Sequence, residues 1–277
     1  MDIYEEIVSL RTRGTRAALA IIIAHEGASP RKDAVKMLIS EDGSQTGNVG
    51  GGTVEADVVR LAKEVMETGK PKLLSFDLSG IDHDERALVC GGSMQIYIDP
   101  ILPDPELFIF GAGHVAKAVA EAAKAAGFRI TVFDDRAKYA TTERFPYANV
   151  VLVKDSGNWE AELDGLNLTS SSYVFVATQR PKTDRVCLRR ALLSPARYIG
   201  MLGSLTKTKI LLEALRQEDV DSSQFSRIFI PAGLDIGSET PEEIAASIIP
   251  ELIAACKNLD VRRLRDAVHA VKSQDAL

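Results

Sequence analysis

The feature that most restricts how this chain can fold is a glycine turn set between a strand and a helix. Leu107-Phe108-Ile109-Phe110 is a short apolar strand. It runs directly into Gly111-Ala112-Gly113-His114-Val115-Ala116 and then into an alanine-rich helical stretch. This is a G-x-G-x-x-A turn: Gly111 permits the tight bend, Gly113 lets backbone N–H groups approach a pyrophosphate, and Ala116 keeps the helix close to the sheet. The helix N-terminus adds its partial positive charge. The next strand ends in Phe133-Asp134-Asp135, so Asp134 and Asp135 stand 23 and 24 residues past Gly111. That is where an acid that binds a ribose is expected.

The rest of the second part repeats the alternation. Strands are predicted at 107–110, 130–134, 150–153, 173–177, 197–201 and 227–230, with helical periodicity between most of them, notably over 115–126 and 207–216. Short apolar strands alternating with helices imply a parallel sheet covered on both faces. The fold class is therefore α/β, with a C-terminal Rossmann-like, doubly wound sheet. Thr240-Pro241-Glu242-Glu243 opens the last long helix with a Thr cap, Pro at the first helical position and Glu at the third.

The first hundred residues read as a smaller, mixed α+β domain. Ile3, Ile7 and Leu10 recur at helical spacing and Gly14 stops that helix. Ala17–Ala24 reads as a buried strand, Lys36–Ser40 as a second, and Asp42-Gly43 as a hairpin turn. Val54–Met66 is helical, while 72–76 and 94–98 are strands. Pro100, Pro103 and Pro105 then punctuate the chain and resist continuing either element. The expected domains are 1–102 and 103–277.

Composition narrows the functional classes. The formal net charge of −6 argues against a nucleic-acid binder, which carries a basic footprint. All of that acidity lies in residues 1–104, and the remainder is neutral. Within the neutral part, Arg180, Lys182, Arg185, Arg189, Arg190, Arg197, Lys207, Lys209 and Arg216 stand against only Asp184 and Glu213. This stretch is either a solvated surface or positive charge near a phosphate. The longest apolar run, Ala17–Ala24, is far short of the roughly 20 residues that span a bilayer. The acidic start at Met1–Glu6 is unlike a signal peptide, so no membrane association is expected. Cys90, Cys187 and Cys256 are too few and too widely spaced for a disulfide framework or a zinc site, and a reducing cytoplasm is the default compartment.

Several residues stay open between two readings. Asp134 favours NAD over NADP by accepting from a ribose hydroxyl, but Arg136 beside it favours the opposite. His114 either touches ligand or faces solvent at the helix start. Gly50-Gly51-Gly52 either exposes N–H groups to an anion or forms a turn capped by Thr53. Cys90, followed by Gly91 and Gly92, either carries a thiolate for a soft metal or sulfur, or is a small buried hydrophobe. Cys187 and Cys256 fit the buried reading. No Tyr is followed four residues later by Lys, and there is no H-E-x-x-H or G-x-S-x-G. A binding site is visible; a hydride-transfer apparatus is not.

Taken together the motifs resemble those of the xanthine dehydrogenase accessory-factor family (XdhC/CoxI). The first part is similar in S-P-R-x-x-x-x-K-M (Ser29, Pro30, Arg31, Lys36, Met37), in the glycine run with V-E-A from Gly47 to Ala56, and in C-G-G from Cys90 to Gly92. The second part is similar in F-G-A-G-H-V-A (Phe110 to Ala116), V-x-D-D-R (Val132 to Arg136), Y-I-G-M-x-G-S (Tyr198 to Ser204) and P-x-G-L-D-I-G-x-x-T-P-E-E-I-A (Pro231 to Ala245). Two places depart from the family pattern. Thr178-Gln179-Arg180-Pro181 replaces T-R-G-H, and Leu205-Thr206 precedes Lys207 and Lys209 where an Arg pair is common.

The resemblance implies an accessory protein rather than a dehydrogenase. It implies binding of molybdenum cofactor (molybdopterin, in its simple or dinucleotide form), help with its sulfuration, and its insertion into a molybdenum hydroxylase apoenzyme. A cysteine desulfurase would be the second partner and a homodimer the expected assembly. Cofactor contacts would fall on Gly111, Gly113, His114, Ala116, Asp134, Asp135, Arg136, Gly50, Gly51, Gly52, Gly91 and Gly92, with Cys90 near molybdenum or accepting sulfur. Three cysteines do not suffice for a four-Cys iron–sulfur cluster. The alternatives are an NAD(P)-dependent oxidoreductase, or an interaction module whose hand-off is gated by NAD.

Overall fold

The computed structural model describes residues 2–27, 35–77, 92–153, 158–218, 220–259 and 261. The chain divides into two compact units, Met1–Asp104 with Thr169–Ser171, and Pro105–Leu168 with Ser172–Leu277.

The first unit runs α1 (Ile3–Thr12), β1 (Ala17–Gly27), β2 (Lys36–Ser40), β3 (Gln45–Gly47), α2 (Gly52–Thr68), β4 (Lys72–Asp77) and β5 (Gly92–Ile101). Its strands form an antiparallel sheet in the order β3-β2-β1-β5-β4. The uninterrupted apolar run of β1 has a cause: both faces are covered. Ala18 and Ala20 share a core with Val54, Val58, Ala62 and Val65 of α2, whereas Ala17 and Leu19 pack with Leu10 of α1. Asp42 and Gly43 turn the β2–β3 hairpin, as the pattern predicts. Gly69, left-handed at φ 65°, closes α2 by donating to the Val65 carbonyl. The strand predicted at 94–98 is longer than expected and passes through Pro100, which pairs with Ala18. β4 stops pairing with β5 at Ile98, so the ladder beyond is one-sided, a place where a strand tolerates proline.

The second unit contains β6 (Glu106–Phe110), α3 (His114–Ala125), β7 (Arg129–Asp134), β8 (Asn149–Leu152), α4 (Trp159–Asp164), β9 (Ser172–Val176), α5 (Pro181–Leu192), β10 (Tyr198–Met201), α6 (Leu205–Gln217), a 3-10 turn, β11 (Ile228–Phe229) and α7 (Pro241–Cys256). All six strands are parallel, in the order β11-β10-β9-β6-β7-β8. Counted within the unit this is 3-2-1-4-5-6, the Rossmann order, and the expected doubly wound α/β fold is present. Alternation along the strands feeds two cores. Leu107, Ile109, Val132 and Phe175 pack against Ala116, Val119, Ala123, Ile248 and Leu252 of α3 and α7. Phe108, Phe110, Val174 and Ile199 pack against Leu163, Leu188, Leu192 and Leu215 of α4, α5 and α6. Full burial of each such side chain is worth about 1.5–3 kcal/mol, which is why the strands read as continuous apolar runs. The chain reverses direction across the sheet between β6 and β9, and the crevice at their carboxyl ends is where a ligand of such a fold sits.

Candidate functional site

The glycine turn divides its work between two glycines. Gly111 adopts φ 112° and donates its N–H to the Phe133 carbonyl at 2.7 Å. A Cβ at this position would collide with the backbone of Ala177 and Thr178, just beyond β9. Gly111 is therefore required by packing. Gly113 is different. It caps α3 with extended backbone (φ −69°, ψ −171°), no side chain caps the helix, and a Cβ there would meet nothing within 4 Å. Open space stands in front of an uncapped twelve-residue helix. His114 is exposed at the helix start, and Ala116 is fully buried against the sheet.

Asp134, at the end of β7, is buried, and both of its carboxylate oxygens are occupied. Oδ2 accepts from the Ala112 N–H at 2.6 Å and from Arg136 Nη2 at 2.7 Å. Oδ1 accepts from the Arg136 backbone N–H at 2.9 Å and from Arg136 Nε at 2.8 Å. Burial pushes the carboxyl up, but the Arg136 hydrogen bonds and the Ala112 amide outweigh it and hold it below its ordinary value. The same pairing raises Arg136. Arg136 in turn lies over the Tyr139 ring, Cζ to centroid 4.1 Å. Arg144 reaches the same turn from further along, donating to the Ala112 carbonyl at 3.4 Å, and also lies over Tyr139 at 5.1 Å.

A cavity of about 280 Å³ opens beside this cluster, lined by Asp135, Arg136, Trp159, Thr178, Arg180 and Thr183 among others. Asp135 accepts from Trp159 Nε1 at 3.3 Å and forms an ion pair with Arg180. The two places that depart from the family pattern are structurally tied. Thr178 donates to Asp184 Oδ1 at 2.5 Å, and Lys207 Nζ lies 2.6 Å from Asp184 Oδ2. Most of the rest of the basic stretch is engaged by the fold itself, partly in exposed ion pairs. Arg185 and Arg189 pair with Glu218, Arg216 with Glu213, Arg190 donates to the carbonyls of Leu163, Asp164 and Leu166, and Arg197 to that of Ala255.

In the first unit, Gly50, Gly51 and Gly52 have φ of 128°, 79° and 64°, and a Cβ on any of them would meet open space. Gly51, not Thr53, is the N-cap of α2, because the helix starts one residue before Thr53. Gly51 and Gly52 border an open hollow of about 640 Å³ with Gln45, Glu55, Arg60 and Lys63. Cys90 and Gly91, with Ser29, Pro30 and Arg31, lie outside the described residues; Gly92 opens β5. The register places Gly27, Asp77 and Gly92 at one end of the sheet, with Lys36 and Gly47 level with Ile21 and Ala20 in the middle of β1. Burial raises the Cys187 thiol strongly and Cys256 less, so neither is an activated thiolate.

Sequence reasoning did not single out Trp159 or Thr183 as cavity residues, because neither sits in a recognisable motif. The 231–245 segment proves to be largely structural. Gly233 at φ 101° donates its N–H to Glu251 at 2.9 Å, and the Thr240–Glu243 capping box starts α7. Among the described residues no group of three or more His, Cys, Asp or Glu side chains is placed to hold a metal ion, and no helix is long and apolar enough to cross a membrane.

Comparison with known proteins adds the following. The family model described as the XdhC Rossmann domain matches residues 107–252, and that of the XdhC and CoxI family matches residues 10–77. The uncharacterized protein YqeB of Escherichia coli is 32% identical over 93% of this chain and 47% of its own length. A protein of Bacillus subtilis described as a probable xanthine dehydrogenase component is 32% identical over 60% of this chain and 48% of its own. The chain thus spans about half the length of the curated relatives it matches. A crystal structure from Bacillus halodurans, described as a xanthine dehydrogenase, aligns over 94% of this chain and 97% of its own at 23% identity, with a TM-score of 0.49.

Proposed function

The chain belongs to the XdhC and CoxI family, and from that premise we propose that it is an accessory protein of a xanthine dehydrogenase-type molybdenum hydroxylase. The observation that supports this reading is that the two family models together match both units of one chain. The proposed cargo is molybdenum cofactor, as molybdopterin or its dinucleotide, handed to the apoenzyme after a cysteine desulfurase has supplied sulfur. When bound, the cofactor brings the molybdenum centre at which an oxo ligand is exchanged for a sulfido ligand.

The residues present fit the tail of such a molecule. Gly113 leaves open space at the N-terminus of α3, where backbone N–H groups and the helix dipole favour phosphate. Asp134 links that turn to the cavity beside it through Ala112. On this reading Gly111, Ala116 and Asp134 shape the turn, while Gly113, His114, Asp135 and Arg136 face the ligand. In the first unit the proposed contacts are Gly50, Gly51, Gly52, Gly91 and Gly92, with Cys90 as the sulfur or metal-proximal thiolate. NAD or NADP would use the same crevice, and a dimer in the cytoplasm completes the proposal.

The test is to purify the protein anaerobically from its native host and to measure molybdenum and bound pterin by metal analysis and mass spectrometry. Stoichiometric molybdopterin is expected, together with loss of hydroxylase activity when the gene is deleted. Bound NAD without pterin, alongside a fully active hydroxylase in the deletion strain, would replace this reading with a nicotinamide-dependent one.

A further inference from the structure

We propose that Arg136 is a rigid stacking platform that receives the planar nitrogen heterocycle of the ligand, and that Asp134 is the positioning residue that holds it. The proposal rests on the reading that the Rossmann crevice binds a nucleotide-like molecule, and it names how the ring of that molecule is read.

Asp134 has no capacity left for a ribose. A carboxylate offers about four acceptor positions. Asp134 already receives four N–H groups, one from Ala112 and three from Arg136, at 2.6 to 2.9 Å, with its side chain 3% exposed. The same bonds fix the plane of the guanidinium. Nε and Nη2 of Arg136 bind the two oxygens of one carboxylate in a fork, and the backbone N–H of the same residue adds a third bond, so the group is held without freedom to swing. Tyr139 covers the guanidinium on one side, and Arg136 itself, 24% exposed, is part of the cavity wall. Arg136 thus meets Tyr139 with its guanidinium and the cavity as part of its wall. A planar cation backed by one aromatic ring on a cavity wall favours a second flat π-system on its other face, whether purine, pyrimidine or pterin. An isolated phosphate would gain nothing from that flat face.

Trp159 is the single tryptophan of the chain and lies on the cavity wall, so its fluorescence reports occupancy directly. The full chain is titrated with three ring-bearing probes, ADP, CDP and neopterin monophosphate, and with inorganic pyrophosphate as the ringless control. The tightest ring-bearing probe identifies the source of the heterocycle. Arg136→Leu is expected to weaken that probe about tenfold, and pyrophosphate less than about twofold. Arg136→Lys keeps a cation beside Asp134, and so is the deciding variant where Arg136→Leu fails to fold. It too is expected to weaken the ring-bearing probe about tenfold, since an ammonium has no planar face. Full rescue by lysine, unchanged binding in both variants, or an equal loss for pyrophosphate would each overturn the platform. Quenching of wild type by pyrophosphate alone would also overturn it while leaving a phosphate site in the crevice. No response to any probe would remove the nucleotide reading together with the platform.

Discussion

Tyr198 donates its hydroxyl to Glu251 Oε2 at 2.9 Å, joining the buried end of β10 to α7. The same oxygen accepts the backbone N–H of Gly233 at 2.9 Å, so one carboxylate fixes a strand, a helix and the loop that leads into that helix. Burial, with the Glu251 charge beside it, raises the phenol well above its ordinary value, so it stays a neutral donor. Tyr198→Phe removes one hydrogen bond to a charged group and should cost about 1.5–3 kcal/mol. Glu251→Ala strands two donors and should cost more, about 2–5 kcal/mol. Urea unfolding of the three proteins checks the order; equal costs would show that the Gly233 bond contributes nothing.

Gly111 and Gly113 should separate cleanly. Gly111→Ala forces a side chain into a left-handed backbone and against Ala177, at about 2–5 kcal/mol of stability. Gly113→Ala meets open space and should change the melting temperature by no more than a degree or two. If the N-terminus of α3 holds phosphate, Gly113→Ala should still weaken pyrophosphate binding, read by Trp159 fluorescence. A stability loss at Gly113 equal to that at Gly111 would refute the division of roles.

These contrasts show what was legible in the sequence and what was not. The Rossmann unit was readable because its strands are buried on both faces and its turn requires glycine at Gly111, so composition and conformation carry the same signal. Gly51 as the cap of α2 was not, since Thr53 is the better capping residue by type and only the start of the helix at Gly52 excludes it. The position of Asp134 was legible, but its partners were not. An acid at the end of the second strand reads as a ribose acceptor until Arg136, two residues on, is seen to fold back upon it. The strand through Pro100 was hidden because proline signals a break, and only the end of β4 makes it tolerable. Cavity residues such as Trp159 gave no signal, because they converge from separate elements.

The Asp134 pairing also sets an acid limit. Its folded-state pKa lies below the ordinary value of 3.8. It therefore contributes stability that is fully present above pH 3.8 and is lost as pH falls from there through the folded value. Unfolding free energy measured from pH 6 to pH 2.5 should fall more steeply in wild type than in Asp134→Asn, which lacks this titration. Asp134→Asn itself should be less stable at neutral pH by about 3–5 kcal/mol, because Arg136 loses its charged partner. Parallel acid limbs in the two proteins would show that another carboxylate dominates.

Lys207 tests whether the basic stretch serves a ligand or the fold. Its ammonium lies 2.6 Å from Asp184, whose side chain is 1% exposed and also takes the Thr178 hydroxyl. Lys207→Met leaves that carboxylate buried without its cation and should cost about 3–5 kcal/mol. Lys207→Met combined with Asp184→Asn removes the uncompensated charge and should recover much of the loss, giving a coupling energy in a double-mutant cycle. A lysine that held phosphate alone would behave differently. Its replacement would weaken pyrophosphate binding with stability unchanged, and the double variant would recover nothing. The ion pair links α5 to α6 at the carboxyl ends of β9 and β10, so the stability result is the one expected, with the unfolding midpoint restored in the pair.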